Sequence, residues 1–202
     1  VLAVDLTTPT GRERSAERVS RGADYLVHNA GFGTVGELAR LPIARELEEN
    51  DHNVVALSRL TRAALPPMLE RKRGRILNVA SLAGLAPGPY TATYSATKAF
   101  VVSLTESLAE EARSGGVNVM ALCPGFTRTE FQDRANMNVG HVPGIAWMSA
   151  ESVVDSALAA IERGEVVHVP GMLNRLSRAG LRVVPRRLVS RMVAVGSRKF
   201  TP

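Results

Sequence analysis

Short apolar runs of strand length alternate along this chain with longer segments in which apolar residues recur at helical spacing. The predicted strands lie at residues 1–6, 24–30, 75–80, 117–122 and 166–169. The predicted helices lie at residues 12–21, 44–69, 94–113 and 150–163. In the second of these helices, Leu57, Leu60 and Ala64 form part of one apolar stripe, and a break is predicted near Asn50.

The last predicted strand is followed by a basic segment, residues 172–202. Pro185 divides it into two predicted amphipathic helices, since proline suits a helix start. From Val166 to Pro202 there are eight basic residues and no acidic one, so the rest of the chain carries −2 of the overall +6. Residues 172–199 contain no aromatic residue, which argues against nucleic-acid binding. Packing on a cleft or a partner subunit is favoured over contact with an anionic membrane, and both stay open.

The totals exclude several classes of protein. With 202 residues and 45% hydrophobic content, the chain is long enough for one domain with a substantial core. No apolar run approaches the ~18 residues of a membrane span, and the first residues lack the features of a secretory signal. The single cysteine, Cys123, cannot form an internal disulfide, and no Cys/His cluster predicts a metal site. We therefore expect a cytoplasmic protein.

Candidate chemistry lies in the stretch SLAGLAPGPYTATYSATK, residues 81–98. Tyr94 and Lys98 are four residues apart at the start of a predicted helix, so their side chains share one face. A nearby ammonium favours the phenolate form of tyrosine, and a tyrosine tuned in this way can exchange a proton with a carbonyl or an alcohol. Ser81, at the end of a predicted strand, could hydrogen-bond the same oxygen. By itself, however, such a Tyr/Lys spacing is more often a solvated pair on a surface helix.

The surrounding sequence resembles the short-chain dehydrogenase/reductase family. The similar stretches are GRILNVAS followed by LAG, then ATYSATKAFV, then VNVMALCPG, in the family's order. The resemblance covers about residues 1–171 and implies an α/β fold with a doubly wound, Rossmann-like parallel sheet. Residues 172–202 are then expected to form a helical extension of that dehydrogenase domain. The family's long helices commonly form a dimer interface, so the resemblance also implies a homo-oligomer.

The resemblance implies roles for four catalytic residues. Tyr94 would act as the acid/base, and Lys98 would lower its pKa and hold the ribose hydroxyls of the cofactor. Ser81 would orient the substrate oxygen. Asn53, in DHNVVAL, would hold a water in a proton relay toward the lysine. The structural alternative for Asn53 is an asparagine that caps or kinks its helix.

Other positions match the places where the family binds NAD or NADP. Asp5 corresponds to a residue beside the adenine, although without the resemblance a turn-forming aspartate at a strand end is the preferred interpretation. Thr127 would reach the nicotinamide side, and His28 stands where the family usually has a second asparagine. The implied cofactor-binding residues are Asp5, Leu6, Asn29, Ala30, Gly31, Tyr94, Lys98, Pro124, Gly125 and Thr127.

The stretch from Gly31 to Gly36 satisfies G-x-G-x-x-G, the pattern of dinucleotide-binding loops. A pyrophosphate site of that kind needs a helix that starts within the motif, so that its N-terminus faces the phosphates. Pro42 follows only six residues later, and no second strand ending in an acidic residue follows at about 20 residues. We expect this loop to lie on the substrate side of the site.

The family normally begins with a strand, a glycine-rich pyrophosphate loop, a helix and a second strand, and this sequence shows none of them. Residues 1–6 correspond to the third family strand, so the fold is expected to be N-terminally incomplete. In a sheet of order 3-2-1-4-5-6-7, the strand at 24–30 would then present an unpaired edge.

The leading interpretation is an NAD- or NADP-dependent oxidoreductase that transfers hydride between the nicotinamide and a carbonyl or secondary alcohol. Phe131, Met137, Trp147 and Met148 lie where the family has a substrate lid, which favours an apolar small-molecule substrate. The alternative is a non-catalytic binding or scaffold protein, or an inactive fragment, that no longer binds the cofactor.

Overall fold

The computed structural model describes residues 2–201, apart from the side chain of Arg182. Four parallel strands form one sheet in the order β1-β2-β3-β4. They are β1 (Tyr25–His28), β2 (Gly74–Val79), β3 (Val117–Leu122) and β4 (Val167–His168). In register, Leu26 pairs with Ile76, Leu77 with Met120, and Leu122 with His168.

Eight α-helices connect and cover the strands in the described residues. They are α1 (Pro9–Ser20), α2 (Ile43–Asn50), α3 (Leu57–Glu70), α4 (Ala92–Ala112), α5 (Phe131–Arg134), α6 (Ala150–Glu162), α7 (Met172–Val183) and α8 (Arg186–Ser197). A π-helical turn, Asp51–Ala56, joins α2 to α3, and short 3₁₀ turns lie at Leu82–Leu85, Arg113–Gly115, Gly144–Ala146 and Arg198–Phe200.

Both faces of the sheet are covered, which confirms the predicted doubly wound α/β architecture. Because side chains alternate along a strand, Ile76 and Val119 face one side and pack with α3 and α4. Leu77 and Met120 face the other side and pack with α6. The near-continuous apolar character of β2 and β3 follows from this burial on both faces.

Most predicted elements are present within a few residues of their expected bounds. The predicted break near Asn50 is the π-helical turn, in which each backbone hydrogen bond spans one residue more than in an α-helix and the helix does not end. The oxygen of Ser149 caps α6, and Gly164, at φ 73°, follows the end of that helix. Pro185 separates α7 from α8 as predicted.

The predicted strand at residues 1–6 is wrong for the part that the structure describes. Val1 lies outside the described residues, and residues 2–6 form no strand. A β-strand requires a neighbour for its backbone hydrogen bonds, and none of the four strands pairs with this segment. Instead, the segment turns into α1, with the Thr8 N–H donating to the Asp5 carbonyl at 3.3 Å. In the described residues β1 forms an edge of the sheet, with the Tyr25 and Val27 side chains half exposed.

Candidate active site

The candidate site lies at the carboxyl end of the sheet, where loops after parallel strands come together. β2 ends at Val79 and leads into Ser81, while β1 ends at His28 and leads into the Asn29–Gly31 loop. Helix α4 begins beside these loops and carries Tyr94 and Lys98 in its first two turns. The topology therefore brings these separate sequence segments to one place.

The Tyr94 ring is enclosed by the loop after β1 and by α5. A Cβ atom placed on Gly33 would lie 2.7 Å from Cδ2 of the ring, so the backbone directly contacts the ring face. The Phe131 ring centroid lies 5.4 Å from that of Tyr94. Burial raises the pKa of Tyr94 to about 12, while a hydrogen bond with Ser81 opposes this change and the negative charge of Glu49 adds to it. The phenol is therefore protonated at neutral pH.

Lys98 is buried, and its ammonium group donates to the carbonyl of Val79 at 2.7 Å. Burial lowers the pKa of Lys98 to about 8, and the negative charge of Glu49 opposes that change. The Lys98 Nζ lies 5.7 Å from the Tyr94 ring centroid. The expected lowering of the Tyr94 pKa does not occur in this structure, because desolvation of the phenol outweighs every favourable interaction.

Asn53 is buried in the π-helical turn and connects three parts of the site. Its amide nitrogen donates to the Phe32 carbonyl at 2.8 Å and to the Thr97 hydroxyl at 3.1 Å. Its amide oxygen accepts from the Phe32 N–H at 3.3 Å. The turn thus points this side chain into the protein, where it holds the loop after β1 against α4.

Ser81 is extended, at φ −168°, and its oxygen accepts from the Ala83 N–H at 3.1 Å as the cap of a 3₁₀ turn. The hydroxyl is therefore held by its own loop, and its interaction with the Tyr94 phenol lowers the pKa of that group. The next residue, Leu82, donates its N–H to the Pro124 carbonyl at 3.0 Å. This bond places the loop after β3 beside the loop after β2.

The Gly31–Gly36 stretch is an irregular loop in which no helix begins, and the next helix starts at Ile43. It therefore has no helix N-terminus to face a pyrophosphate. Its Gly33 contacts the Tyr94 ring, and the Gly36 N–H donates to the Tyr90 carbonyl at 2.8 Å. The loop forms a wall of the candidate site.

A cavity of about 70 Å³ lies between the end of β1 and Lys98. Leu6, Asn29, Ala30, Asn53 and Lys98 are among the residues that line it. Gly31 borders the same space, since a Cβ atom there would lie 3.1 Å from Asn53 Oδ1 and 3.5 Å from Lys98 Nζ. The cavity is smaller than the roughly 300 Å³ typical of small-molecule pockets. Its ammonium and amide groups nevertheless fit a polyhydroxyl group such as one ribose of a dinucleotide.

Of the other candidate cofactor-binding residues, Asp5, Gly125 and Thr127 are not among those that line this cavity. Asp5 is exposed, and its carboxylate accepts from the Thr7 N–H at 2.9 Å and the Thr7 hydroxyl at 2.7 Å. These bonds lower the pKa of Asp5, and they match the turn-forming alternative. Thr127 donates to the Gly125 carbonyl at 3.2 Å, and a Cβ atom placed on Gly125 would lie 2.5 Å from Asn174 Oδ1. The start of α7 therefore packs directly on this loop.

Two buried carboxyl groups were missed from the sequence. Glu49 accepts from both the N–H and the hydroxyl of Thr34, each at 2.9 Å, and Glu46 accepts from the Thr93 hydroxyl. Burial raises the pKa of Glu49 to about 7. Their spacing of three residues is too common among exposed helical glutamates to have identified them, so the sequence held no usable signal.

Two further findings bear on the class of protein. Across residues 2–201, no helix combines the length and the apolar character needed to cross a membrane. In the same range, no group of three or more His, Cys, Asp or Glu side chains is arranged to hold a metal ion.

The family model for short chain dehydrogenase matches residues 1–140. Over 186 residues, the chain is 32% identical to 3-oxoacyl-(acyl-carrier-protein) reductase FabG of Vibrio cholerae, a match that covers 84% of this chain and 75% of that relative. Over 119 residues, it is 40% identical to an uncharacterized oxidoreductase of Myxococcus xanthus, covering 59% of this chain and 47% of the relative. The chain thus spans between about half and three quarters of these relatives.

Among solved structures, the chain is similar to a short-chain dehydrogenase from Sphingobium yanoikuyae in complex with NADPH. The two superpose with a TM-score of 0.78 at 29% identity, over 91% of this chain and 75% of that one. The likeness therefore extends beyond the residues that the family model matches.

Proposed function

The chain belongs to the short-chain dehydrogenase/reductase family of oxidoreductases, and we propose that it transfers hydride between a nicotinamide cofactor and a carbonyl or secondary alcohol. The observation that carries this proposal is the convergence of Ser81, Tyr94 and Lys98 at the carboxyl end of β2. A proton donor, a hydroxyl beside it and a buried cation are the groups that carbonyl reduction requires.

In this proposal Tyr94 is the general acid. Its pKa of about 12 keeps the phenol protonated at neutral pH, so it is ready to give its proton to a carbonyl oxygen. Ser81 donates a hydrogen bond to the same oxygen. The protonated phenol is the form that reduction requires, in which the O–H bond of Tyr94 breaks as the new alcohol O–H bond forms.

Lys98 and Asn53 would support the proton transfer. The ammonium group of Lys98 would stabilise the phenolate left on Tyr94. Asn53 already uses its amide to hold Phe32 and Thr97, so we propose that it supports a proton relay by fixing the wall of the cavity beside Lys98.

The bound cofactor, NAD or NADP, would supply hydride chemistry to the site. Lys98, Tyr94 and the Asn29–Gly31 loop would hold its nicotinamide ribose. Leu6, with Asp5 next to it, would meet the adenine end. Pro124, Gly125 and Thr127 would meet the nicotinamide end. The similar Sphingobium yanoikuyae enzyme is in complex with NADPH, which makes NADPH the first cofactor to test.

We propose that the substrate is an apolar carbonyl compound. The Phe131 ring lies against Tyr94, and Trp147 packs on Phe126 with ring centroids 5.3 Å apart. These aromatic groups come from the segment between β3 and α6, which contains the proposed cofactor loop, the short helix α5 and a 3₁₀ turn. An aromatic wall next to the proton donor suits an apolar group on the reacting carbon.

Two surfaces support proposals about partners. Leu47 on α2, Val55 in the π-helical turn and Phe100 on α4 are exposed apolar residues, which supports self-association through these elements. On α7 and α8, part of the proposed extension 172–202, Leu176, Met192 and other apolar side chains are exposed among arginines. A second copy of this basic surface would bring like charges together, so we propose that it contacts an anionic lipid surface.

The experiment for the main proposal compares the wild-type chain with Tyr94→Phe. NADPH and NADH oxidation is followed with a panel of apolar ketones, and Tyr25→Phe, on the edge strand, is the matched control. Loss of the acid should lower turnover by about 10²–10⁴-fold in Tyr94→Phe and leave Tyr25→Phe unchanged. A folded wild-type chain that turns over no substrate would instead favour a non-catalytic binding or scaffold role.

A further inference from the structure

Helix α2 buries its charged face and exposes its apolar one. Ile43 and Leu47 are 70% and 59% exposed, whereas Glu46 and Glu49 are 4% and 0% exposed. An amphipathic helix normally packs its apolar stripe against the protein, and burying a carboxylate costs free energy unless other groups compensate. The inverted orientation therefore requires specific interactions of the two carboxyl groups.

Glu49 fastens the loop that contacts Tyr94. One of its oxygens accepts both hydrogen bonds of Thr34, while Asn53 accepts from and donates to the backbone of Phe32. Gly33 lies between Phe32 and Thr34, which these hydrogen bonds hold in place, and Gly33 contacts the Tyr94 ring. Glu49 and Asn53 together thus fix the Gly33 backbone on both sides.

Glu46, one turn earlier on α2, forms a hydrogen bond with the residue next to the same tyrosine. Its carboxylate accepts from the hydroxyl of Thr93, the residue directly before Tyr94. Helix α2 therefore contacts both the Thr93 side chain on α4 and the loop after β1. The two carboxyl groups have different neighbours, which makes Glu46 a natural control for Glu49.

The second oxygen of Glu49 is buried and has no hydrogen-bond partner among residues 2–201. The charged groups that act on this carboxyl are Glu46 on its own helix and Lys98 on α4. In turn, the negative charge of Glu49 raises the pKa of buried Lys98 and that of Tyr94. Among the described residues, Glu49 and Cys123 are the groups whose negative charge raises the pKa of Lys98, and the charge of Lys98 in turn acts on His52.

We propose that Glu49 is a positioning residue: it holds the Gly33 backbone against Tyr94 and supplies the negative charge that keeps Lys98 protonated in its buried position. Its importance for turnover rests on the proposed function. Its effect on Lys98 does not, because that effect is a property of the folded chain itself.

The chain offers a direct readout because it contains only three lysines, Lys72, Lys98 and Lys199. With ¹³Cε-labelled lysine, each ammonium group titrates as a separate NMR signal, and Lys72→Arg and Lys199→Arg assign the other two. The measurement is made on the full chain in wild type, Glu49→Gln and Glu46→Gln. Glutamine retains an oxygen that can accept from Thr34 and removes only the charge.

The expected result is that Glu49→Gln lowers the pKa of Lys98 by about one pH unit, as loss of a nearby opposite charge should. Glu46→Gln should change it much less. Equal pKa values in the three proteins would overturn the proposal. If Glu49→Gln fails to fold, the titration of wild type alone decides. The Lys98 resonance should then show a second, smaller step near pH 7, where Glu49 ionises. Absence of this step would also overturn the proposal.

Turnover separates this inference from the proposed function. If wild type is active, the pH dependence of kcat should shift more in Glu49→Gln than in Glu46→Gln, and Glu49→Asp should lie closer to wild type than Glu49→Gln does. If wild type is inactive but Glu49→Gln still lowers the pKa of Lys98, the proposed function fails and the positioning of Lys98 by Glu49 stands. If wild type is active but the pKa of Lys98 is the same in Glu49→Gln as in wild type, the proposed function stands and the inference about Glu49 fails.

Discussion

The backbone of Gly33 lies so close to the Tyr94 ring that no side chain fits between them. A Cβ atom on Gly33 would lie 2.7, 3.0 and 3.3 Å from the Cδ2, Cγ and Cε2 atoms of the ring. Gly33 does not adopt a left-handed conformation, so the requirement for glycine here is space and not backbone geometry. The contact fixes the ring at the position from which Tyr94 would donate its proton.

Gly33→Ala should therefore displace the Tyr94 ring while the fold persists. Misplacement of a reacting group by about 1 Å can lower turnover by about 10²-fold, and we expect a loss of roughly that size in kcat. Steady-state kinetics and thermal unfolding would be measured on the same preparation.

The matched control for this prediction is Gly180→Ala, within α7. No atom lies within 4 Å of a Cβ placed there, so alanine should stabilise the helix by about 0.5–1 kcal/mol and leave kcat unchanged. Equal kcat values for Gly33→Ala and wild type would show that this contact does not position the tyrosine.

The sequence predicted which residues come together around Tyr94 better than it predicted the edge of the sheet. Tyr94 and Lys98 share a helix face because of their spacing, and local spacing is visible in sequence. β2 and β3 were recognisable because strands buried on both faces are continuously apolar. The run 1–6 has the same apolar character, yet residues 2–6 form no strand, because strand formation depends on a partner that local pattern does not reveal.

The burial of Glu46 and Glu49 was unpredictable for a related reason. The apolar pattern of α2 indicates that Ile43 and Leu47 face inward. Instead the opposite face is buried, because its carboxyl groups accept hydrogen bonds from Thr34 and Thr93. The sequence also led us to expect that Lys98 would lower the pKa of Tyr94. Burial raises this pKa instead, and burial depends on tertiary packing, which the local sequence does not reveal. The roles of Tyr94, Lys98, Ser81, Asn53 and the cofactor-binding residues remain predictions.

His28 gives a prediction for the pH dependence of stability. Burial lowers the pKa of His28 to about 4, below the value of 6.5 expected in the unfolded chain. The unfolded state therefore binds a proton first as the pH falls, so stability is lost between pH 6.5 and 4. The contribution of His28 should be about 2 kcal/mol between pH 7 and pH 4.5.

Urea unfolding of wild type and His28→Gln at these two pH values isolates that contribution. Glutamine can still hydrogen-bond the Thr61 hydroxyl, which lies 3.1 Å from Nε2 of His28, but it does not titrate. The variant should lose less stability than wild type on acidification. Identical losses would mean that His28 is not desolvated in the folded chain.

The surface of α7 and α8 should bind anionic vesicles. Met172, Leu176, Leu188, Met192 and Val195 are among its exposed apolar residues. We expect pelleting with phosphatidylglycerol-containing vesicles but not with pure phosphatidylcholine, and a decrease as salt screens the arginines. Met192→Glu should weaken binding by about tenfold or more, since it replaces buried apolar area with a repelled charge.

Ile145→Glu is the control for that experiment, because Ile145 is an exposed apolar residue on a different part of the chain. Equal weakening by both variants would mean that the effect is net charge alone. If wild type pellets with neither type of vesicle, the surface is not a lipid-binding one, and packing on a partner subunit becomes the better interpretation.

The central claim is that the site around Lys98 holds a nicotinamide cofactor, and a fluorescence titration of the chain with NADPH and NADH tests it most directly. We predict saturable binding of at least one of them with a dissociation constant of about 1 µM to 1 mM, the range of typical enzyme–substrate affinities. Lys98→Met should weaken this binding by about tenfold or more, while Lys72→Met should leave it unchanged. A folded wild-type chain that binds neither cofactor, or that binds equally well without Lys98, would contradict the account.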